Sequence, residues 1–237
     1  MFFMNLSRIQ SELRRLADPA TARVLRGFFK TGTGQYAEGD VFIGVKIPPL
    51  RKLSLQGDGL TLAELRRLLQ SRIHEERLLA LMLLVRRFER GDDTVRKQVF
   101  DLYWRESSRV NNWDLVDLSA HRILGAWLLE RPRGLLKKMA RSPDLWERRR
   151  AVVATQAFIR VGQYRDTLEL CRILLNDPQD LLHKACGWML REVGKKDRKV
   201  LDGFLDRQAA IMPRTMLRYA IERHPEARRR HYLKSGK

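Results

Sequence analysis

Apolar side chains recur at intervals of three and four residues along nearly the whole chain. This spacing matches the turn of an α-helix, so each such segment would present one apolar face. No segment alternates strictly between apolar and polar residues, as a half-buried strand does. The pattern therefore predicts an all-α protein. The clearest helical segments are LSRIQSELRRLA, LTLAELRRLLQS, EERLLALMLLVRRFE, ERRRAVVATQAFIRV, RDTLELCRILL, LLHKACGWMLREV and MPRTMLRYAIERH.

Two kinds of helix breaker interrupt this pattern. The segment KTGTGQYAEGD (30–40) contains glycines that disfavour a helix, and we interpret it as a mobile surface loop or short hairpin between helices. The alternative is a phosphate-cradling loop, but the Lys-Ser/Thr ending of a P-loop is missing. Asp177 followed by Pro178 predicts an N-cap and a first helical residue. We expect one domain over 1–237, with a glycine-rich loop at 31–41 and a basic end at 226–237.

A weak internal repeat suggests how the helices stack. A basic residue is followed three positions later by a small one at Arg77/Ala80, Arg148/Ala151 and Lys184/Gly187. The second and third pairs are about 36 residues apart, and the first and second pairs are about twice as far apart. A repeat between the first and second pairs would therefore begin at Trp113. A period near 36 is typical of paired helices, and the pattern favours a HEAT-like superhelix (an α-solenoid). Its concave face would be a natural groove for a rod-like ligand. Chance remains the alternative, since such residues are common in helices.

The charge of the chain points to a polyanionic partner. Lys and Arg number 47 against 28 Asp and Glu, which gives a formal net charge of +19 spread along the chain. Phosphate backbones bind such surfaces through counterion release. We therefore predict that the concave face is basic and binds nucleic acid. The alternative is a surface whose charge serves solubility alone.

Cysteine usage and apolar run length favour a cytoplasmic protein. Cys171 and Cys186 lie in apolar helical segments outside any C-x-x-C pair, so we expect buried thiols in a reducing compartment. The run LLALMLLV (78–85) is far shorter than the ~20 residues that span a bilayer. The N-terminal residues also lack the pattern of a signal peptide.

Histidine spacing gives no support to a metal site. The five histidines form no H-E-x-x-H arrangement, and HEER (74–77) lacks the second histidine of a zincin. We expect His183 to make a polar contact. A G-x-S-x-G nucleophile motif is also missing. We therefore predict neither a metal nor an organic cofactor.

Trp113 and Asp117 are the candidates for chemistry. They lie four residues apart in NNWDLVD and would share one helix face. A carboxylate repels phosphate, so an acid on a face that binds a polyanion suggests a chemical role there. The alternative places Trp113 in the core and Asp117 in solvent. Asp114 fits a simpler explanation, since it lies in a first helical turn where the helix dipole favours an acid.

Four segments together resemble a known family. They are FIGVKIPPLRKL (42–53), NNWDLVD (111–117), LWERRRAVV (145–153) and HKACGWMLREVGK (183–195). In this order and spacing they resemble the HEAT-like-repeat DNA alkylation repair glycosylases, the AlkD family, over nearly the whole chain. One departure is Asn112, which stands where the best-known members have a further tryptophan.

The resemblance implies an activity and a set of site residues. Family members hydrolyse the N-glycosidic bond of alkylated, mostly cationic bases such as 3-methyladenine and 7-methylguanine. By resemblance, Trp113 and Trp188 pack against the deoxyribose of the lesion and Asp117 is the catalytic carboxylate. Arg149 and Arg51 match arginines that hold the DNA backbone. The family reading also implies that the lesion can stay stacked in the duplex. The predicted DNA contacts are Arg149, Arg148, Arg51, Lys184 and Arg191.

We therefore predict a monomeric, monofunctional glycosylase that acts on alkylated duplex DNA. No lysine is singled out as a Schiff-base nucleophile, so lyase activity is not predicted. One alternative is a non-catalytic module that binds damaged or branched DNA. Another is a protein–protein scaffold, which would bind DNA weakly and without a steep salt dependence. Charge alone leaves RNA open as a substrate.

Overall fold

The computed structural model describes residues 4–235, so the ends of the N-terminal segment and of the basic C-terminal segment lie outside it. Over this range the chain is helical, apart from loops and one isolated parallel bridge between Val41 and Ile73. The all-α prediction is thus confirmed. The chain divides into two compact units between Ser119 and Ala120. That the whole chain forms one domain stays a prediction.

The N-terminal unit is organised around one long helix. The helices of this unit are α1 (Leu6–Arg15), α2 (Pro19–Phe28), α3 (Ile47–Ser54), α4 (Leu62–Leu69), α5 (His74–Arg90), α6 (Asp93–Arg105) and α7 (Trp113–Ser119). The long helix α5 packs against α3, α4, α6 and α7, and most of its residues are buried. A helix that is covered on nearly every side forms the core of its unit. A short 3₁₀ turn (Ser107–Arg109) precedes α7.

The C-terminal unit has a comparable central helix. The α-helices of this unit are α8 (Gly134–Met139), α9 (Leu145–Ala154), α10 (Gln156–Arg160), α11 (Arg165–Ile173), α12 (Asp180–Lys196), α13 (Arg198–Gln208), α14 (Arg214–Ala220) and α15 (Glu226–Ser235). The central helix α12 packs against α9, α10, α11, α13 and α14, and its apolar side is fully buried. The unit begins with a π-helical segment (His121–Gly125) that packs against α9 and α10.

The predicted start of α12 was wrong by two residues. α12 begins at Asp180, and Asp177 instead accepts a hydrogen bond from the Gln179 amide at 2.9 Å and pairs with Arg148. Asp177 therefore closes a turn ahead of the helix. His183 donates to the carbonyl of Asp177 at 2.6 Å, which confirms the predicted polar contact. Cys171 and Cys186 are buried free thiols, as predicted.

Two positions of the sequence repeat share one local structure. Arg77 and Arg148 each occupy the fourth position of their helix and donate to the carbonyls five and six residues earlier, at 2.9–3.2 Å. Each also pairs with a buried aspartate at 2.6 Å, Asp40 for the first and Asp177 for the second. The arginine thus ties the start of its helix to the preceding loop. Lys184 differs, since it pairs with Asp180 in its own helix.

The small residues of the same repeat are all buried at helix contacts. Ala80 and Ala151 are fully buried. A Cβ atom added at Gly187 would lie 2.5 Å from the carbonyl oxygen of Met216 in α14, so α12 and α14 approach too closely for a side chain there. No helix among residues 4–235 is long and apolar enough to cross a bilayer.

The glycine-rich segment forms a series of turns between α2 and α3, without a hairpin. Two of its amides are satisfied locally: Gly34 donates to Glu38 at 2.8 Å and Gly32 donates to Gln35 at 2.9 Å. The Glu38 carboxylate thus accepts the hydrogen bond that the Gly34 amide would have to donate to a bound phosphate. The geometry favours a surface loop over a phosphate cradle.

Candidate functional site

Three of the residues predicted from the sequence line one cavity in the N-terminal unit. Trp113 and Asp117 from α7 and Arg51 from α3 border a cavity of about 490 Å³. Trp113 and Asp117 are half-buried, whereas Arg51 is exposed. Their shared position agrees with the expectation that Trp113 and Asp117 lie on one helix face. The cavity size falls within the range of roughly 300–1,000 Å³ that is usual for small-molecule sites.

An aromatic stack forms one side of this cavity. The Trp113 indole stacks on Phe29 with ring centres 5.1 Å apart and planes 8° apart, and meets the Phe28 ring edge-on at 5.8 Å. Phe29 stacks in turn on Phe42 at 4.8 Å, and Phe42 on His74 at 4.4 Å. Trp113 is therefore held by aromatic packing while it still lines the cavity. Phe28 is 61% exposed, which is unusual for a phenylalanine.

A buried polar network lies next to the stack. The His74 ring contacts Asp40 through Nδ1 at 3.1 Å and Asp114 through Nε2 at 2.8 Å. Arg77 donates to the other oxygen of Asp40 at 2.6 Å. Because each ring nitrogen faces a carboxylate, both must donate, which requires the protonated imidazolium. The two cations and two anions balance, as buried charges must.

This network fixes the backbone on both sides of Trp113. Asn112 is fully buried, donates to Asp40 at 3.1 Å and accepts from the Trp113 amide at 2.8 Å. Asp114 is held by His74. The residues immediately before and after the tryptophan are thus anchored, and Asp117 follows one turn later. Asn112, which stands where the resemblance would place a tryptophan, thus links Asp40 to the backbone amide of Trp113.

Glu75 anchors the segment that passes along the cavity. Its carboxylate accepts hydrogen bonds from the amides of Ile43, Gly44 and Val45 at 2.8–3.3 Å. Gly44 has φ +89°, and a Cβ atom there would lie 2.0 Å from the Asp18 carbonyl oxygen. Glycine is therefore required at this turn. HEER (74–77), which resembles the start of a zinc motif, instead supplies the anchors of this site.

The partners of His74 shift its pKa strongly. Burial lowers the pKa of the imidazole, but the charge of Asp114 and the hydrogen bonds of Asp114 and Asp40 outweigh burial and raise it to about 9. The same contacts with His74, together with the charge of Arg77, outweigh burial at Asp40 and lower the pKa of its carboxyl. His74 and Asp40 are therefore both charged at neutral pH.

We expect the stability of the protein to decrease between pH 7 and pH 9.5 as His74 loses its proton. Since the folded pKa of about 9 lies above the unfolded value of 6.5, the contribution is fully present below pH 6.5 and is lost as pH rises through 9. The difference between the two pKa values corresponds to about 3 kcal/mol in total, of which about 2 kcal/mol is lost between pH 7 and pH 9.5. Chemical unfolding at several pH values measures it, and His74→Gln should flatten this part of the profile. Equal slopes in the two proteins would contradict the assignment.

The remaining predicted residues belong to the C-terminal unit. Lys184, Trp188 and Arg191 are spaced by four and three residues on α12 and so share one face. Trp188 is half-buried. Lys184 pairs with Asp180 at 2.8 Å, and Arg191 pairs with Glu222. The face presents an indole flanked by basic residues, and its role in DNA binding stays a prediction.

Arg148 and Arg149, the two α9 arginines predicted to contact DNA, have different partners. Arg149 is buried and donates to the carbonyl of Leu181 at the start of α12. Arg148 is held by Asp177 and by loop carbonyls. Both guanidiniums therefore have internal partners, and a contact with a DNA phosphate would need to share or replace them. Their assignment to DNA stays a prediction.

The fold and the cavity define an all-α, strongly basic protein with an aromatic and carboxylate site. The model of the DNA alkylation repair enzyme family matches residues 9–224, and the chain belongs to this family. Membership implies DNA as the partner. Among solved structures, a predicted DNA alkylation repair enzyme from Enterococcus faecalis is similar in fold, with a TM-score of 0.65 and 17% identity over 89% of this chain and 97% of that one. No curated protein matches the chain.

Proposed function

We propose that this protein is a monofunctional DNA glycosylase that releases alkylated, cationic bases such as 3-methyladenine and 7-methylguanine from duplex DNA. The observation that carries the proposal is the meeting of Trp113, Asp117 and Arg51 at one cavity. An indole and a carboxylate suit a developing positive charge, and an exposed guanidinium suits a phosphate. The strongly basic composition and the family of the chain support DNA as the substrate.

The chemistry needs little more than charge stabilisation. When the bond between the sugar C1′ and the base nitrogen breaks, its electron pair goes to the base and neutralises the base's positive charge. Positive charge then develops on the sugar, where the Asp117 carboxylate and the Trp113 ring stabilise it. Water attacks C1′ and passes a proton to the carboxylate or to solvent. A cationic base leaves readily, so a strong general acid is unnecessary.

By resemblance, Trp188 packs against deoxyribose and Arg51 and Arg149 hold the DNA backbone. Arg148, Lys184 and Arg191 are further proposed DNA contacts, which the resemblance does not assign. A HEAT-like superhelix with a basic concave face is the expected framework, and a monomer is the expected form. Neither a metal nor an organic cofactor is invoked, since the carboxylate and the rings act directly on the substrate.

We expect the wild-type protein to release 3-methyladenine and 7-methylguanine from methylated duplex DNA and nothing from the unmethylated duplex. Chromatography of the free bases measures the reaction. The strand should stay intact until alkali is added, because no lyase step is proposed. DNA binding by the same sample should weaken steeply with salt, by about 0.9 log units per phosphate contact per log unit of salt. Steep salt dependence without base release would favour a non-catalytic DNA-binding module.

A further inference from the structure

A second cavity lies at the opposite end of α5 from the candidate functional site. It has a volume of about 250 Å³ and is bordered by three arginines from the last turns of that helix, Arg86, Arg87 and Arg90. His74, at the first cavity, lies 90 − 74 = 16 residues before Arg90, or about 24 Å at 1.5 Å per residue. None of the four segments that carry the family resemblance borders the second cavity. We propose that this cavity is a separate anion site, which binds the phosphoryl group of a ligand.

Cationic charge exceeds anionic charge at the second cavity. Among the described residues, Asp58 is the one carboxylate in the lining, and it faces three guanidinium groups. The hydrogen bond and charge of Arg86, together with those of Arg90, outweigh burial and lower the pKa of the Asp58 carboxyl, which is therefore ionised at neutral pH. Glu89 acts on Arg86 from outside the lining, and with both acids counted the group still carries 3 − 2 = +1. Such a surplus attracts a small anion.

The arginines keep hydrogen-bond donors that no protein acceptor uses. Arg86 donates to Asp58 through Nε and Nη2, and Arg90 donates to Asp58 through Nη1. Arg87 donates through Nη2 to carbonyls of the loop between α3 and α4. Within the described part of the chain, Nη1 of Arg86 and both Nε and Nη1 of Arg87 make no hydrogen bond, and none of these three nitrogens is buried. They are the donors that the oxygens of a phosphoryl group would accept from.

The arginines are also held in place before any ligand binds. The Asp58 carboxylate accepts from Arg86 at 3.0 and 2.6 Å and from Arg90 at 3.0 Å, and Arg87 is fixed by the loop carbonyls. Side chains that are already ordered lose less conformational entropy on binding. The helix dipole explains why basic residues lie in the last turn of α5. It does not explain why three of them border one cavity with donors left open.

The size and lining of the second cavity suit a small oxyanion. Its volume of about 250 Å³ is below the roughly 300–1,000 Å³ that is usual for drug-sized ligands. Leu65, Leu83 and Val95 form apolar walls, so the attractive polar contacts come from the guanidinium groups. A planar guanidinium matches the paired oxygens of a phosphoryl group, which a chloride ion lacks. The phosphoryl group belongs either to a free phosphate or to a DNA backbone, and the experiments separate these two sources.

Calorimetric titration with inorganic pyrophosphate at constant ionic strength tests the site. We expect the wild type to bind one pyrophosphate more tightly than all others, and Arg90→Gln to weaken this binding at least tenfold, ~1.4 kcal/mol. Arg15→Gln is the matched control. Arg15 and Arg90 are each the last residue of a helix, are 69% and 67% exposed, and each pair with a carboxylate. Because Arg15 lies outside the lining, its replacement should leave the tight site intact.

Val95→Phe tests the cavity without changing its charge. Val95 borders the cavity near the start of α6, where its amide donates to the N-cap Asp92 at 2.9 Å. Val200→Phe is the matched control, since the Val200 amide donates to the N-cap Asp197 at 3.1 Å in α13 and both valines are half-buried. Val95→Phe should weaken the tight site at least tenfold, with circular dichroism showing that both variants are folded. The proposal is overturned if the wild type has no tight site, or if folded Arg90→Gln and Val95→Phe bind pyrophosphate as their controls do.

Duplex DNA identifies the source of the phosphoryl group. If the group belongs to the DNA backbone, Arg90→Gln should reduce the slope of log affinity against log salt by about 0.9 relative to Arg15→Gln, and pyrophosphate should compete with DNA. If the group belongs to a free ligand, the two variants should bind duplex equally, and the wild type should bind pyrophosphate and duplex together. Both results support the anion site. Neither experiment measures base release, so the site stands or falls independently of the proposed glycosylase.

Discussion

Replacing Arg77 with methionine should lower the free energy of unfolding by about 3 kcal/mol, the low end of the cost of breaking a buried ion pair. The Arg77 side chain is 3% exposed and donates to Asp40 and to two loop carbonyls. Methionine fills much of the space but satisfies none of these acceptors. Asp40 keeps its contacts with His74 and Asn112, which limits the loss. Chemical unfolding followed by circular dichroism measures the change.

Arg8→Met is the matched control for this substitution. Arg8 lies on the exposed side of α1, and its side chain makes no hydrogen bond or ion pair within residues 4–235. The same chemical change there should alter stability by less than about 0.5 kcal/mol. If Arg77→Met cost no more than Arg8→Met, the buried network would not be what anchors α5 to its loop.

The helices could be predicted from the sequence because their signal is local. The apolar spacing within a segment such as LTLAELRRLLQS is enough to define a helix and its buried side, and α4 follows it. The boundary of α12 was missed because Asp177 and Pro178 satisfy a capping rule, while the structure closes a turn there and starts the helix at Asp180. An aspartate can accept from backbone amides either as the N-cap of a helix or in a turn before the helix. The local sequence does not distinguish these two arrangements.

The candidate site was predicted only in part because most of it depends on long-range contacts. Trp113 and Asp117 share a helix face, which spacing alone indicates. The partners that hold them are distant in sequence: Asn112 bonds Asp40, 72 residues away, and Asp114 bonds His74, 40 residues away. Periodicity carries no information about such pairs. Asp114 was interpreted through the helix dipole alone, although it also has a specific partner.

The aromatic stack was missed for a similar reason. Phe28 and Phe29 are adjacent, so they leave α2 in different directions, and only the fold shows that both meet Trp113. Phe42 joins them from the loop after the glycine-rich segment. A run of aromatic residues around that segment was the available signal. Such a run indicates an aromatic cluster, but it does not show which tryptophan packs against that cluster.

Asp117→Asn should slow base release at least tenfold while the protein stays folded and bound to DNA. The substitution keeps the size of the side chain but removes the negative charge that stabilises the cationic sugar. Tenfold corresponds to ~1.4 kcal/mol of lost transition-state stabilisation. DNA affinity should stay the same or rise slightly, because one charge that repels phosphate is lost. The hydrogen bonds of the His74 ring go to Asp40 and Asp114, which the substitution leaves in place, so the buried network should survive.

Asp93→Asn provides the same change of charge away from the site. Its side chain is 87% exposed at the start of α6, with only a long contact to Arg96 at 3.9 Å. This control separates the effect of net charge on DNA binding from an effect on catalysis. We expect it to release bases at the wild-type rate.

The most direct test is single-turnover release of 7-methylguanine from methylated duplex by the wild type, Asp117→Asn and Asp93→Asn, each saturating the DNA. A glycosylase that uses Asp117 gives equal rates for the wild type and Asp93→Asn and a rate at least tenfold lower for Asp117→Asn, ~1.4 kcal/mol in the barrier. Equal rates in all three proteins, or no release by a folded wild type bound to DNA, would contradict it.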